Sequence, residues 1–253
     1  MPIPAAGITI IITTTMTIMA IPITMRGTNM DNAALYRLMA WLSPSYPVGA
    51  FAYSHGIEWA VEDGRVTDEE SLAAWIGSIV RHGAGWSDAV LFSEAYKCDG
   101  DPAKLAEVND FAVALAPSTE RHLETTAQGT AFVKATKDAW PWADMDKMTA
   151  ALGPEAAYPV AVAMAASAHG TPLEIALNAY LHGFAANWVS AGVRLIPLGQ
   201  SAGQRILAGL EPAISETAGS AENASLDETG GVAILSDIAA MQHETQYTRL
   251  FRS

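Results

Sequence analysis

Residues 156–193 read AAYPVAVAMAASAHGTPLEIALNAYLHGFAANWVSAGV, and Glu174 is the one formally charged residue among them. The segment His169-Gly170-Thr171-Pro172 interrupts this run, so the first apolar stretch ends at Ala168. That stretch is too short for a membrane helix, which needs about 20 apolar residues. The pattern therefore predicts two buried central helices of a globular fold.

Composition narrows the class of protein. The chain has 253 residues, with 14 Lys+Arg against 27 Asp+Glu and a formal charge of −13. Such acidity argues against a nucleic-acid partner, because few cations are available to neutralise phosphates. The single cysteine, Cys98, excludes an intramolecular disulfide framework and a cysteine-rich zinc site, and it fits a cytoplasmic protein.

The first 30 residues differ from the rest of the chain. Residues 1–25 carry no formal charge, and the first basic residue, Arg26, follows the apolar run, whereas a signal peptide carries its basic residues before it. Threonines and Pro22 interrupt the run, which argues against a membrane span. We interpret residues 1–30 as a disordered or mis-started leader; a membrane-tethered adaptor held by this leader is an alternative.

From Asp31 onward, helix signals follow one another. Asp31 and Asp101-Pro102 are typical helix starts, and Thr67 with Glu70 has the spacing of a capping box. Residues 216–230 are small and acidic and are expected to form an exposed linker. We predict an all-α, single-domain bundle of roughly eight to ten helices over residues 31–253.

Few residues form a pattern that predicts catalysis. The chain has no glycine-rich phosphate loop and no Gly-x-Ser-x-Gly or His-Glu-x-x-His motif. His55, Glu58 and Glu62 have helical i, i+3, i+7 spacing, and on one helical face they could bind a divalent metal. A helical metal-dependent enzyme is therefore one hypothesis, and a solvated or partner-facing stripe is the simpler one. We expect neither a catalytic residue nor a resident metal or cofactor.

Two segments are suited to macromolecular contacts. The segment 43–51, SPSYPVGAF, holds two prolines and a glycine, so it predicts a rigid loop that displays Tyr46 and Phe51. The final residues 247–253, YTRLFRS, are basic and aromatic in an otherwise acidic chain. Because arginine and aromatic residues are the preferred anchors of protein interfaces, we interpret both segments as contact surfaces.

Three motifs resemble those of the urease accessory protein F family. They are SPSYPVGAFAYSHGIE at 43–58, SAGVRLIPLGQ at 190–200 and HETQYTRLFRS at 243–253, in the same order as in that family. The resemblance spans residues 31–253, while the first 30 residues depart from the family pattern.

The resemblance implies an all-α accessory protein that has no reaction of its own and forms a homodimer. It implies binding to a second accessory protein, called D or H, recruitment of the accessory GTPase G, and help in loading nickel into apo-urease. It assigns the D/H interface to Tyr247, Arg249, Leu250, Phe251 and Arg252. Contacts to the GTPase or to a second subunit are expected at the residues of the other two motifs, namely Tyr46, Pro47, Gly49, Phe51, Ser54, Gly56, Glu58, Arg194, Pro197, Gly199 and Gln200.

Overall fold

The computed structural model describes residues 31–253, and these residues form eleven α-helices and no β-strand. The helices are α1 (Asn32–Trp41), α2 (Ile57–Glu62), α3 (Glu69–His82), α4 (Ala84–Lys97), α5 (Pro102–Ala114), α6 (Thr119–Ala139), α7 (Met145–Ala151), α8 (Tyr158–Ala168), α9 (Leu173–Leu195), α10 (Gln200–Ala221) and α11 (Ile234–His243). The predicted all-α class is confirmed. The leader proposed for residues 1–30 lies outside the described residues, and the domain boundary there stays a prediction.

Two of the three predicted capping residues cap a helix in the structure. Asp31 accepts a hydrogen bond from the Ala33 amide, and Asp101 accepts from the Ala103 amide with Pro102 in the first turn, as predicted. The capping box with Thr67 is wrong. Asp68 caps α3 instead and pairs with Ser71, because its extended backbone places a carboxylate beside the free amides of the first turn.

The predicted linker at 216–230 is also wrong in its first part. Helix α10 continues to Ala221, and its residues Thr217, Ala218 and Ala221 are buried. Alanine-rich segments favour a helix, and here one face of the helix also has a neighbour to pack against. Irregular backbone and a short 3₁₀ turn, Leu226–Glu228, occupy the remainder.

The core is centred on α8 and α9, the two helices predicted from residues 156–193. Every residue of α8 from Pro159 to Ala166 is buried, and α8 packs against α4 and α6. Helix α6 approaches so closely that a Cβ at Gly129 would overlap the Ala156 carbonyl. Among residues 31–253, no helix combines the length and the hydropathy that a membrane span requires.

Tyr46 belongs to this core, and the expectation that the 43–51 loop displays it is wrong. Its ring lies 5.3 Å from Phe132 and 6.0 Å from Trp140, between ring centroids. The hydroxyl is 2.8 Å from Thr136 Oγ1. A buried tyrosine needs such a partner for its hydroxyl, and helix α6 supplies it.

The last helix is held against α2 by a glycine contact. Gly56 precedes α2 with a φ of 81°, and a Cβ there would lie 2.6 Å from the Ala240 amide nitrogen of α11. Glycine is required at this position both for its backbone conformation and for the close approach. The contact places the residues that follow α11 beside the 50–58 segment.

Candidate functional site

The C-terminal residues 247–253, here called the tail, run along the segment between residues 50 and 58. The Arg252 amide donates to the Ala52 carbonyl over 2.8 Å, and the Ser54 amide donates to the Ser253 carbonyl over 2.6 Å. The Ser54 hydroxyl donates to the same Ser253 oxygen. Phe251 is only 5% exposed. The tail is therefore docked on the body of the molecule.

Glu58 anchors the middle of the tail. One carboxylate oxygen accepts from the Leu250 amide over 2.6 Å, and the other accepts from the Phe251 amide over 2.9 Å. Glu58 lies in the first turn of α2 and is 7% exposed. A buried carboxylate is stable only with such partners, so the tail and Glu58 satisfy one another.

A second carboxylate, Glu120, connects the tail to α6 and α11. Its Oε1 accepts from Arg249 Nη1 over 2.7 Å, and its Oε2 lies 2.7 Å from His243 Nδ1. The other ring nitrogen of His243 lies 3.2 Å from Glu58 Oε2. We call Glu58, Glu120, His243 and Arg249 the tail anchor. It joins α2, α6, α11 and the tail in one network.

Arg194 of α9 joins the second sequence motif to the other two. Its guanidinium carbon lies 3.7 Å from the Phe51 ring centroid and 4.2 Å from that of Phe251. Its Nη1 also donates to the Phe51 carbonyl over 3.1 Å. Cation–π contacts of this kind stabilise a stacked arrangement. Phe51 remains 67% exposed, so the stack has a free outer face, as the loop prediction expected for this residue.

A further buried cluster lies under the end of the tail. Arg121 Nη1 donates to Glu124 Oε2 over 2.7 Å, and the Ser253 hydroxyl donates to the same oxygen over 3.2 Å. Burial raises the pKa of Glu124, but the Arg121 guanidinium and the His55 ring outweigh burial and bring that pKa down to about 2. Burial lowers the pKa of His55, so Arg121 provides the charge that balances Glu124.

The structure separates the three residues of the metal hypothesis. His55 precedes α2, with a φ of 58°, so it does not share a helical face with Glu58 and Glu62. His55 contacts Glu124, Glu58 contacts His243, and Glu62 accepts from Gln246. Within residues 31–253, no group of three or more His, Cys, Asp or Glu side chains is placed to hold a metal ion.

The remaining predicted residues lie around the docked tail or apart from it. Tyr247, Leu250 and Arg252 are exposed along the tail. Pro47 and Gly49 are exposed in the loop before Phe51. Pro197 and Gly199 are exposed in the turn between α9 and α10, and Gln200 is exposed at the start of α10. Within the 190–200 motif, Arg194 is the residue that contacts the tail, through the Phe251 ring.

Glu120, Arg121 and Glu124 were not among the predicted site residues, and His243 was predicted only as a member of the C-terminal motif, with no role of its own. The three α6 residues belong to no motif. A glutamate in a mixed helix gives no sign that it will be buried, because burial depends on cations from elsewhere in the chain. For His243, its position in the C-terminal motif was the one feature of the sequence that could have indicated a role in the site.

Together, the fold and the site define an all-helical protein whose three distant motifs meet around a docked C-terminal tail. The chain belongs to the urease accessory protein UreF family, whose profile matches residues 66–211. It is 52% identical over 225 residues to the urease accessory protein UreF of Rhodopseudomonas palustris strain HaA2, covering 88% of this chain and 95% of the relative. It is 47% identical over 223 residues to that of Bradyrhizobium sp. strain ORS 278, covering 87% and 92%. The resemblance seen in the motifs is confirmed.

Proposed function

We propose that the chain is a scaffold of urease maturation that holds the D/H accessory protein and the GTPase G on apo-urease. In this proposal it modulates GTP-dependent nickel loading and breaks no bonds itself. It acts as a homodimer in the cytoplasm. Family membership and the curated names of the relatives support the role in urease maturation, and the docking geometry supports the particular role of a scaffold.

The convergence of the three motifs on the tail is the observation that carries this proposal. Buried groups hold the tail from beneath, while Phe51, Tyr247 and Leu250 point their side chains outward. Exposed aromatic and aliphatic side chains on a fixed backbone are pre-organised for a protein partner, because little conformational freedom remains to be lost on binding. We assign the exposed tail residues Tyr247, Arg249, Leu250 and Arg252 to the D/H contact. Phe251, which the resemblance grouped with them, is buried against the body and holds the tail in place.

The effect on the GTPase is expected to be a shift in the population of its nucleotide states. A scaffold can change that population only if its affinity for one state exceeds its affinity for the other. We place this contact, or the contact with a second subunit, at the exposed residues Pro47, Gly49 and Phe51 with Arg194, and at the turn that carries Pro197, Gly199 and Gln200. Arg194 contacts Phe51 of the loop and Phe251 of the tail, so this proposed contact begins beside the proposed D/H site.

Deletion of residues 247–253 tests the D/H contact. The shortened chain should lose co-purification with the D/H partner from cells that express the urease operon, while its far-ultraviolet circular dichroism stays unchanged. Tyr36→Ala is the control, since Tyr36 is 70% exposed on α1 and belongs to none of the three motifs. Normal co-purification of the deletion variant would refute this assignment.

Phe51→Ala and Arg194→Ala test the second contact. Each variant should retain its fold and lose either GTPase recruitment or dimerisation, measured by size-exclusion chromatography with light scattering and by urease activation in cells. Two folded variants that form every complex and activate urease normally would show that this surface has no such role.

A further inference from the structure

His243 lies at a point where a single side chain bridges two buried carboxylates. The ring has no exposed surface. Its Nδ1 lies 2.7 Å from Glu120 Oε2, and its Nε2 lies 3.2 Å from Glu58 Oε2. Both ring nitrogens therefore face a carboxylate oxygen. Because the ring is fully buried, bulk water cannot donate a hydrogen bond to either nitrogen.

Donor counting favours one form of the ring between two carboxylates. A neutral imidazole carries one N–H, so its second nitrogen would turn a lone pair toward a carboxylate oxygen. An imidazolium carries two N–H groups and satisfies both glutamates. With Arg249 bound to Glu120, the two carboxylates then face two cations, and the charges of the tail anchor sum to zero.

We propose that His243 is a positioning residue, a buried imidazolium whose two N–H groups orient Glu58 and Glu120 so that these carboxylates dock the tail. Glu58 in turn accepts from the Leu250 and Phe251 amides, and Glu120 binds Arg249. Tail docking consequently depends on a proton at His243. The importance of this dependence for partner binding rests on the proposed function of the tail.

The other charged groups near the ring are occupied elsewhere. Glu244, the next residue, turns to the start of α6 and accepts from the Thr119 amide over 2.8 Å. Arg121 follows Glu120 but points to Glu124, and Glu62 of α2 binds Gln246. The two carboxylates that contact the ring are thus Glu58 from α2 and Glu120 from α6.

Nuclear magnetic resonance of the full chain tests the charge state directly. With ¹⁵N-labelled histidine, both ring nitrogens of His243 should carry a bonded proton at about pH 7.5. In Glu120→Gln, the amide can donate to Nδ1, so the ring should need only one proton and show a single N–H. A single N–H in the unmodified chain would overturn the proposal.

Hydrogen exchange tests the positioning role. In His243→Ala, the Leu250 and Phe251 amides should exchange roughly 10- to 100-fold faster, the range expected for the loss of one charged hydrogen bond. His182→Ala, at an exposed position of α9, is the control and should leave both rates unchanged. If His243→Ala does not fold, the exchange rates of Glu120→Gln are measured instead, and intermediate protection is expected. Unchanged rates in the folded variant would refute the positioning role.

The two proposals fail in different experiments. The role of His243 is measured on the isolated chain, by ring protons and amide exchange. The role of the tail in binding is measured by deleting residues 247–253 and testing D/H co-purification. A protonated ring and slow exchange, combined with a deletion variant that still binds D/H, would retain the positioning role and refute the proposed function of the tail.

Discussion

Helix α6 passes from a polar site at its first turns to an apolar core at its later turns. Near its start, Glu120 and Glu124 are buried among ion pairs that reach the tail. Further along, Gly129 and Phe132 pack on α8 and on the aromatic cluster of Tyr46, where shape complementarity replaces charge. One helix thus serves two regions that are stabilised by different forces.

The difference separates the stability of the fold from the stability of the docked tail. The stabilisation from apolar burial is the sum of many small contacts, and each helix adds the contacts of its buried face. A buried charge network is favourable only when every partner is present, because an unpaired carboxylate costs several kcal/mol. We therefore expect changes in the core to unfold the chain and changes in the tail anchor to release the tail with less damage.

The largest effect is expected from Gly129→Ala in the core. The added Cβ overlaps the Ala156 carbonyl, so α6 and α8 must separate, and the free energy of unfolding should fall by more than about 4 kcal/mol. Denaturant unfolding measures the change. Gly209→Ala is the control, since a Cβ there meets nothing within 4 Å, and it should leave the chain unchanged or stabilise it by up to about 1 kcal/mol. Equal stability of the two variants would contradict the close packing of α6 on α8.

A smaller loss is expected from Gly56→Ala, at the boundary with the tail site. The left-handed backbone costs about 1–2 kcal/mol for alanine, and the approach to Ala240 adds a steric cost, for a total of about 3–4 kcal/mol. Gly64→Ala has a similar φ of 74° with open space around it, so it should cost only the backbone strain. Hydrogen exchange should show that α11 and the tail lose protection first in Gly56→Ala. Loss of protection throughout the molecule would mean that this contact belongs to the core.

Glu58→Gln should weaken the tail anchor while leaving the core intact. The Glu58 carboxylate faces the His243 ring and the Leu250 and Phe251 amides. The amide group of a glutamine would place its own N–H against one of these partners, so we expect a loss of about 3 kcal/mol in the stability of the docked tail. The readout is the exchange rate of the Leu250 and Phe251 amides. Glu62→Gln keeps the acceptor for Gln246 at a more exposed position and should change those rates little. Similar exchange in both variants would contradict the special role of Glu58.

The smallest effect is expected at Asp88 of α4, which lies between the two regions. Burial raises the pKa of Asp88 to about 6, while Arg121 and the hydrogen bond from Tyr180 partly oppose this rise. Because the folded chain binds this proton more tightly than the unfolded chain, Asp88 lowers stability as the pH rises from about 4 to about 6. Asp88→Asn should remove this slope and stabilise the chain at pH 8 by on the order of 2 kcal/mol. Thermal unfolding from pH 4 to pH 8 measures it, and parallel curves would refute the raised pKa.

Much of the fold could be predicted because its signals are local. The apolar run at 156–193 predicted α8 and α9, and Asp31 and Asp101 marked helix starts that the structure confirms. The errors arose where packing overrides local preference. Tyr46 turned inward because α6 offers Thr136 as a partner, and α10 extended to Ala221 because its last turn has a face to bury.

The candidate site was only partly predictable. Motif resemblance led to Phe51, Arg194 and the tail, but no spacing indicated that Arg194 lies between Phe51 and Phe251. The metal hypothesis failed because it assumed a continuous helix through His55, whereas Gly56 adopts a left-handed conformation and α2 begins at Ile57. A glycine that can adopt either backbone conformation gives no local sign of which one it takes.

The helical class and the buried position of the central pair were thus readable along the chain, since apolar periodicity, prolines and capping residues act within a few positions of one another. The pairing of Glu58, Glu120, His243 and Arg249 was not readable, since these residues are separated by as many as 191 positions and no local pattern links them. Folding brings them together, and the buried groups Glu58, Glu120 and His243 are stable there only in the presence of their partners.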